Sequence, residues 1–98
     1  MTIEKHRDGS ALTLAPEGRL DTITSPELEK ALKESLDGVS ELTLDFEKLD
    51  YISSAGLRVL LTAQKTMNRQ GSMKIVHVCK TIMEIFEVTG FSEILTIE

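Results

Sequence analysis

The sequence predicts an α/β fold in which a mixed, mostly parallel sheet of four to five strands carries three helices and an N-terminal antiparallel hairpin. Two observations lead to this prediction. Runs of alternating apolar and polar residues are interleaved with helical patterns, which indicates strand–helix–strand units with parallel neighbours. The dipeptide Asp8-Gly9 separates the first two runs, and such a pair is a strong signal for a two-residue hairpin turn.

The predicted hairpin consists of residues 2–7 and 10–15 on either side of that turn. The second strand then meets residues 16–18, where a proline and a glycine are expected to break or bulge it. We expect the strand or its extension to continue to about Leu20. Asp21 would then lie at its C-terminal end.

The first helix is predicted from a start signal, an apolar face and a stop signal. Residues 24–27 read Thr-Ser-Pro-Glu, which is a capping-box pattern with proline near the first helical position. Asp37-Gly38 supplies the stop. The apolar face recurs at helical spacing through Leu28, Ala31, Leu32, Ser35 and Leu36.

The next strand is predicted where Leu42, Leu44 and Phe46 alternate with polar residues. A second helix follows from Ser54 to about Gln70 and ends at Gly71, after a short polar loop. Its apolar positions are Leu57, Leu60, Leu61 and Met67, whereas Arg58, Thr62, Lys65 and Arg69 fall on a different face.

The last third of the chain predicts one more strand and one more helix. Residues 73–79 have a mostly apolar centre and read as a strand. A helix over about 81–88 would point Ile82, Ile85 and Phe86 inward, with Gly90 as its C-cap. Residues 94–97 add a candidate short edge strand.

Length and composition exclude several classes of protein. At 98 residues we expect one domain over residues 1–98, with room for a core but not for a second domain. The net charge of −5 argues against direct nucleic-acid binding, and no apolar run approaches the roughly 20 residues of a membrane span. The single cysteine, Cys79, cannot form an internal disulfide, which fits a cytoplasmic location.

The candidate site is the serine pair at the start of the second helix. If the preceding strands are parallel, Asp21 and the pair Ser53-Ser54 emerge at the same edge of the sheet. A helix N-terminus has unpaired N–H groups and a partial positive charge, so a serine there suits either a cap or a phosphate. Small residues follow, Ala55 and Gly56, which favours access by a partner surface.

Catalytic and metal sites find little support in the sequence. A nucleophilic serine needs a base, and the only histidines are His6 and His77, both predicted within strands. His77 and Cys79 would share one strand face, but two ligands do not make a metal site, and no cofactor motif is present. Arg58, Lys65 and Arg69 form a stripe that is either a solvated helix face or a contact surface for an acidic partner.

These motifs together resemble the STAS domain family, specifically the bacterial anti-sigma factor antagonists. The likeness covers nearly the whole chain, and its serine motif is fairly specific. The matching segments are Gly-Arg-Leu-Asp at residues 18–21 with the helix that follows, Leu-Asp-Phe at 44–46, the serine motif at 51–61, and the tail at 86–91.

The resemblance implies a non-enzymatic partner switch. Family members bind an anti-sigma factor that is also a serine kinase and thereby free a sigma factor. The kinase phosphorylates a serine, which ends binding, and a PP2C-type phosphatase reverses the modification. Alignment on Gly56-Leu57 places that serine at Ser54, with Ser53 as the alternative, because the family's usual Asp before the phosphorylated serine is Ser53 here. The partner-binding residues implied are Asp21, Ser53, Ser54, Ala55, Gly56 and Arg58.

Two other functions remain open at this stage. The Ser53 departure is also compatible with a STAS module that does not switch, as a scaffold or accessory subunit of a transport or sensory complex. A small hydrolase using Ser54 is disfavoured because no base is available to it. No pattern in the sequence indicates an oligomeric state.

Overall fold

The computed structural model describes residues 1–98 and contains five strands and three α-helices. The strands are β1 (Thr2–Asp8), β2 (Ala11–Leu20), β3 (Glu41–Asp45), β4 (Leu49–Ile52) and β5 (Ser72–Val76). The helices are α1 (Ser25–Ser35), α2 (Ser54–Gln70) and α3 (Lys80–Thr89), and a short 3-10 helix follows at Phe91–Glu93.

The sheet is mixed and is organised around β2. The order is β1-β2-β3-β5, with β1 antiparallel to β2 and the other pairs parallel. Near its C-terminal end β2 pairs in parallel with β4, and the register shifts between Gly18 and Arg19 because Asp50 of β4 has no partner on β2. The predicted fold class, the hairpin and the extension of the second strand to Leu20 are therefore confirmed. A register irregularity occurs next to the predicted break at residues 16–18, but its extra residue lies on β4, and Pro16 and Glu17 stay paired with β1.

The core lies on one face of this sheet. Along three neighbouring strands, buried leucine, methionine or isoleucine side chains alternate with half-buried or exposed ones such as Thr13, Thr43 and Lys74. The strand register aligns the buried side chains in two rows, so that the helices cover one continuous apolar surface. The rows are Leu12, Leu42 and Met73, then Leu14, Leu44 and Ile75.

All three predicted helices are present, with bounds within about two residues of those predicted. Leu57, Leu60 and Met67 of α2 are buried, as their spacing predicts. Gly71 ends α2, and Gly90 ends α3 in the left-handed conformation that favours glycine. None of these helices combines the length and apolar composition that a membrane-spanning segment requires.

The fifth strand lies in a different place from the one predicted. β4 falls within the segment that the sequence predicted as a polar loop before the serines. The expected edge strand at residues 94–97 is reduced to an isolated bridge between Ile75 and Ile97. β4 was missed because its four residues are too few to show alternation, and Leu49 and Ile52 are buried through contacts distant in sequence.

β5 ends at Val76, earlier than the sequence predicted. His77 has φ of 58°, in the left-handed region that non-glycine residues rarely adopt, and it turns the chain out of the strand. Cys79 lies past this turn, at the N-cap of α3. The prediction that His77 and Cys79 share a strand face is therefore wrong.

His77 forms an ion pair with Asp45, the last residue of β3. The Nδ1 atom of His77 lies 2.9 Å from Oδ1 of Asp45. The hydrogen bond and the negative charge of Asp45 raise the pKa of His77 above its usual value. Burial by itself would raise the pKa of Asp45, but the hydrogen bonds from His77 and from the Glu47 N–H outweigh it, so this pKa is lowered.

Gly71→Ala should destabilise the fold because a Cβ atom at this position would overlap the backbone carbonyl of Ser40. The Ser40 carbonyl accepts a hydrogen bond from the Ser72 N–H, so it cannot withdraw freely. We expect a loss of about 1–3 kcal/mol in the free energy of unfolding, measured by urea denaturation. Ser72→Ala, at the neighbouring exposed residue, is the matched control and should change that free energy by less than about 0.5 kcal/mol. Equal stability of the two variants would contradict the close approach of Gly71 to Ser40.

His77→Asn should reduce stability in a pH-dependent manner. The raised pKa of His77 contributes stability that is fully present below about pH 6.5 and is lost as pH rises through the raised value. The lowered pKa of Asp45 contributes stability above about pH 4 that is lost on further acidification. The difference in unfolding free energy between wild type and variant should therefore be larger at pH 5.5 than at pH 8.5.

Asparagine is chosen for this substitution because it tolerates the left-handed backbone of His77 while removing the titratable group. His6→Gln is the control, since His6 is exposed on β1 and makes no ion pair. A pH-independent difference for His77→Asn would show that the ion pair does not contribute to folding.

Candidate functional site

The candidate site forms where β2 and β4 end side by side. Leu20 and Ile52 are register partners, and the N–H of Ser53 donates to the carbonyl of Leu20 at 2.9 Å. Asp21 and Ser53 are the residues that follow these two strands. The turn after β2 and the start of α2 therefore lie at the same edge of the sheet, as the parallel arrangement predicts.

Asp21 organises the turn between β2 and α1. Its Oδ1 atom accepts hydrogen bonds from the N–H groups of Ile23 and Thr24, each at 3.0 Å. The Thr24 N–H is the main reason that the pKa of Asp21 is lowered, against the opposing effect of burial. Arg19 adds a weak attraction, with its Nε atom 3.9 Å from Oδ2 of Asp21. Asp21 thus acts as a charged acceptor that holds the loop in one conformation.

The capping box predicted for α1 is absent. Thr24 occupies the N-cap position but makes no side-chain cap hydrogen bond. Its hydroxyl closes the preceding turn instead, because it donates to the carbonyl of Arg19 at 2.6 Å and accepts from the N–H of Asp21 at 2.9 Å. The bonds made by Asp21 outcompete the local cap that the sequence pattern favours.

The same turn displays an apolar side chain that the sequence reasoning did not single out. Ile23 is 82% exposed, although the backbone on both of its sides is fixed by the bonds to Asp21 and Thr24. An isoleucine between two threonines, directly after a strand-end aspartate, is the signal that could have identified it. Ile23 therefore adds an exposed apolar side chain to the turn after β2.

Ser53 and Ser54 differ in exposure and in their places on α2. Ser53 has the extended backbone of an N-cap residue, and its carbonyl accepts from the N–H of Leu57 at 2.9 Å. Its hydroxyl is buried and has no hydrogen-bond partner, so Ser53 caps α2 by position only and not through its side chain. Ser54 is the first helical residue and is exposed.

The first turn of α2 carries no group that neutralises its N-terminus. There is no side-chain cap and no acidic residue in that turn. The N–H groups of Ser54, Ala55 and Gly56 precede the first intrahelical bond, so the helix itself supplies no acceptor for them. N–H donors without a helical acceptor and the positive end of the helix dipole therefore lie at this edge, where they favour an anion.

Gly56 lies on the buried side of this turn. A Cβ atom there would come within 2.7 Å of Cγ1 of Ile52 and 2.9 Å of Cγ of Leu20. The glycine thus lets α2 approach the ends of β2 and β4 closely. Ala55 is half-buried beside it, and Ser54 is the exposed member of the three.

A cleft of about 260 Å³ separates the first turns of α1 and α2, and we refer to it as the α1–α2 cleft. Arg58 is exposed at its margin, one helical turn after Ser54. Ser25, which is only 2% exposed, also lines the cleft, and its hydroxyl has no hydrogen-bond partner. The full lining consists of Thr22, Ser25, Pro26, Glu29, Ala55, Arg58 and Val59.

The cationic stripe predicted on α2 is present at the surface. Arg58, Lys65 and Arg69 are all exposed, and none of them forms an ion pair. α2 contains no acidic residue, in a chain whose net charge is −5. The helix that begins at the serines is therefore a locally positive surface.

Potential metal ligands come together elsewhere along the edge. Asp45, Glu47 and His77 bring their ligand atoms within 4.8 Å of one another. The Nδ1 atom of His77 is engaged with Asp45, and all three side chains lie at the end of β3 and β5. Neither histidine hydrogen-bonds to Ser54.

Comparison with known proteins agrees with this architecture. The STAS domain family model matches residues 2–98. A curated relative, the putative anti-sigma factor antagonist BtrV of Bordetella bronchiseptica, is 35% identical over 83 residues, which cover 83% of this chain and 72% of that protein.

Two solved structures share the fold at lower sequence identity. The crystal structure of an anti-sigma factor antagonist from Mycobacterium paratuberculosis has a TM-score of 0.88 and 18% identity, covering 98% of this chain and 83% of the other. The Bacillus cell fate determinant SpoIIAA in its phosphorylated form has a TM-score of 0.76 and 14% identity, covering 99% of this chain and 91% of the other.

The family match extends over almost every residue, and it includes the turn after β2, the serine motif and α3. This chain belongs to the STAS domain family, and it has relatives that are anti-sigma factor antagonists.

Proposed function

We propose that this chain is a cytoplasmic, non-enzymatic anti-sigma factor antagonist that is switched by phosphorylation of Ser54. It binds an anti-sigma factor that is also a serine kinase, and a sigma factor is released. The observation that carries the proposal is the exposed Ser54 on an unneutralised helix N-terminus, beside the Asp21 turn. The name of the curated relative from Bordetella supports the role of anti-sigma factor antagonist. The existence of a phosphorylated form of SpoIIAA, which shares the fold, supports a switch by phosphorylation.

Binding would use the surface around the start of α2. Ser54 and Ala55 offer a small, smooth turn, and Ile23 adds an exposed apolar side chain held in one conformation. Arg58 supplies a positive charge one turn along α2. A partner that fits the bare hydroxyl would contact these side chains. Asp21 would fix the turn after β2, and Ser53 and Gly56 would fix the first turn of α2 against the sheet.

Phosphorylation would act locally. The kinase transfers the γ-phosphoryl group of ATP to Oγ of Ser54, so that a new P–O bond forms, ADP leaves and the hydroxyl proton is lost. The product carries about −1.5 to −2 charges at pH 7. This bulk and charge would fall inside the contact surface and end binding without a change of fold. A PP2C-type phosphatase would hydrolyse the ester and restore the binding form.

Exposure distinguishes the two candidate serines. A kinase must bring the attacking hydroxyl in line with the γ-phosphate of ATP, which requires an accessible Oγ atom. The hydroxyl of Ser53 is buried and, unlike Ser25, Ser53 lines none of the surface clefts, whereas Ser54 is exposed. Modification of Ser53 would require the start of α2 to open, so we assign the phosphorylation to Ser54.

The second candidate function is a STAS module without a switch, in a transport or sensory complex. The presence of Ser53 in place of the family's usual Asp favours it, since an acid at this position would cap α2 and order the site. The two functions predict different partners, and the same experiment separates them.

Incubation of the chain with ATP and each histidine-kinase-like anti-sigma factor encoded in its genome should add one phosphate, measured by intact mass. Ser54→Ala should abolish the modification, because it removes the accessible hydroxyl. Ser54→Asp should weaken binding to the same kinase by at least about tenfold, equivalent to about 1.4 kcal/mol. Calorimetry or fluorescence anisotropy would give the dissociation constants.

Ser53→Ala is the matched control and should still be phosphorylated. A phosphate found only on Ser53 would contradict the assigned residue. Absence of phosphorylation by every such kinase, together with recovery of a transporter or sensor subunit as a stoichiometric partner, would favour the accessory function instead.

A further inference from the structure

Arg58, one helical turn after Ser54, has no partner of its own, in contrast to two other arginines of the chain. Arg7 donates to the carbonyls of Gly9, Ser35 and Asp37 at 3.0–3.3 Å. Arg19 stacks on the ring of Tyr51, with its guanidinium carbon 4.4 Å from the ring centroid. Arg58, in contrast, is exposed and forms neither an ion pair nor a side-chain hydrogen bond.

Helical spacing brings Arg58 within reach of a group on Ser54. Residues four apart lie on one face of an α-helix, with Cβ atoms about 5–6 Å apart. The long side chain of Arg58 leans toward the N-terminus of the helix and can reach back to a phosphoryl group on Ser54, and guanidinium pairs well with phosphate oxygens. Lys65 lies seven residues farther along α2, about 10 Å from Arg58 along the helix axis, and cannot reach the same group.

A second observation on a different helix points to the same place. Ser25 is almost completely buried at the start of α1, yet its hydroxyl has no hydrogen-bond partner, and it lines the α1–α2 cleft together with Ala55 and Arg58. An unpaired buried hydroxyl is costly, so an acceptor in the cleft would relieve that cost. The cleft has one acidic side chain, Glu29, whose carboxylate lies 3.8 Å from Nζ of Lys33.

We infer that a phosphoryl group on Ser54 is bound within the chain itself, in the α1–α2 cleft, by Arg58, the Ser25 hydroxyl and the free N–H groups at the start of α2. This inference rests on the proposed phosphorylation of Ser54. It assigns a second effect to the modification: the phosphate occupies Arg58 and removes that positive charge from the partner surface. Arg58 and Ser25 are binding residues for the phosphate and take no part in its transfer.

The test uses phosphoserine incorporated at residue 54 by genetic code expansion, so that no kinase is required. The second pKa of the phosphate, read from a ³¹P NMR titration, is about 6 for a free phosphoserine. Binding to donors and a cation favours the dianion, so this pKa should be lower in the folded chain by about 0.5–1 unit. Arg58→Gln should raise it again by about 0.5 unit, and Ser25→Ala should raise it by a smaller measurable amount.

Lys65→Gln is the matched control, since it removes one cation from the same face of α2 and should leave the pKa unchanged. Ser25→Ala is expected to fold, because it removes a buried hydroxyl that has no partner, and thermal unfolding checks this. Arg58→Lys should keep part of the shift by retaining the charge.

An identical phosphate pKa in the otherwise wild-type chain and in the Arg58→Gln chain would overturn the inference. An effect of Arg58→Gln without any effect of Ser25→Ala would overturn the placement in the cleft, since the phosphate would then lie on the outer face of α2. Neither result would contradict phosphorylation of Ser54 by the kinase or the loss of binding that follows, because the kinase assay and the binding measurement test those separately.

Discussion

The geometry of the site depends on one constraint: β2 is long enough to pair with three strands, and its last residues pair with β4. The extra residue of β4, Asp50, shifts the register after Gly18 so that Leu20 meets Ile52, and the bond from the Ser53 N–H to the Leu20 carbonyl joins the two strand ends. Gly56 then allows α2 to rest directly on these residues. The Asp21 turn and the serine pair are neighbours for this reason, although more than 30 residues separate them in sequence.

Local signals in the sequence were sufficient for most of the fold. The Asp8-Gly9 turn, the apolar spacing of α1 and α2, and the glycines that end α2 and α3 each depend on nearby residues, so the pattern alone predicts them. The exceptions depend on contacts distant in sequence. β4 exists because β2 offers an unpaired end, and β5 is cut short because His77 turns toward Asp45 on another strand.

The sequence predicted the location of the site more completely than the burial and hydrogen bonding of its side chains. Topology and the serine motif placed Asp21, Ser53 and Ser54 at one edge, but they did not show which hydroxyl is buried or that Asp21 is occupied by backbone N–H groups. Ile23 and Ser25 were missed, because exposure and an unsatisfied hydroxyl are properties of the packed molecule. The contrast between the buried hydroxyl of Ser53 and the exposed Ser54 depends on how α2 packs on the sheet.

β1 has a consequence for how copies of this molecule behave together. It pairs on one side only, with β2, so its other side presents unpaired backbone groups that another chain could extend. The strand carries Glu4, Lys5, Arg7 and Asp8, all exposed. A second strand added at this edge would have to place its own side chains beside these charges. Charged side chains on edge strands protect natural proteins from aggregation in this way. The charges on β1 therefore disfavour edge-to-edge pairing between copies of the chain.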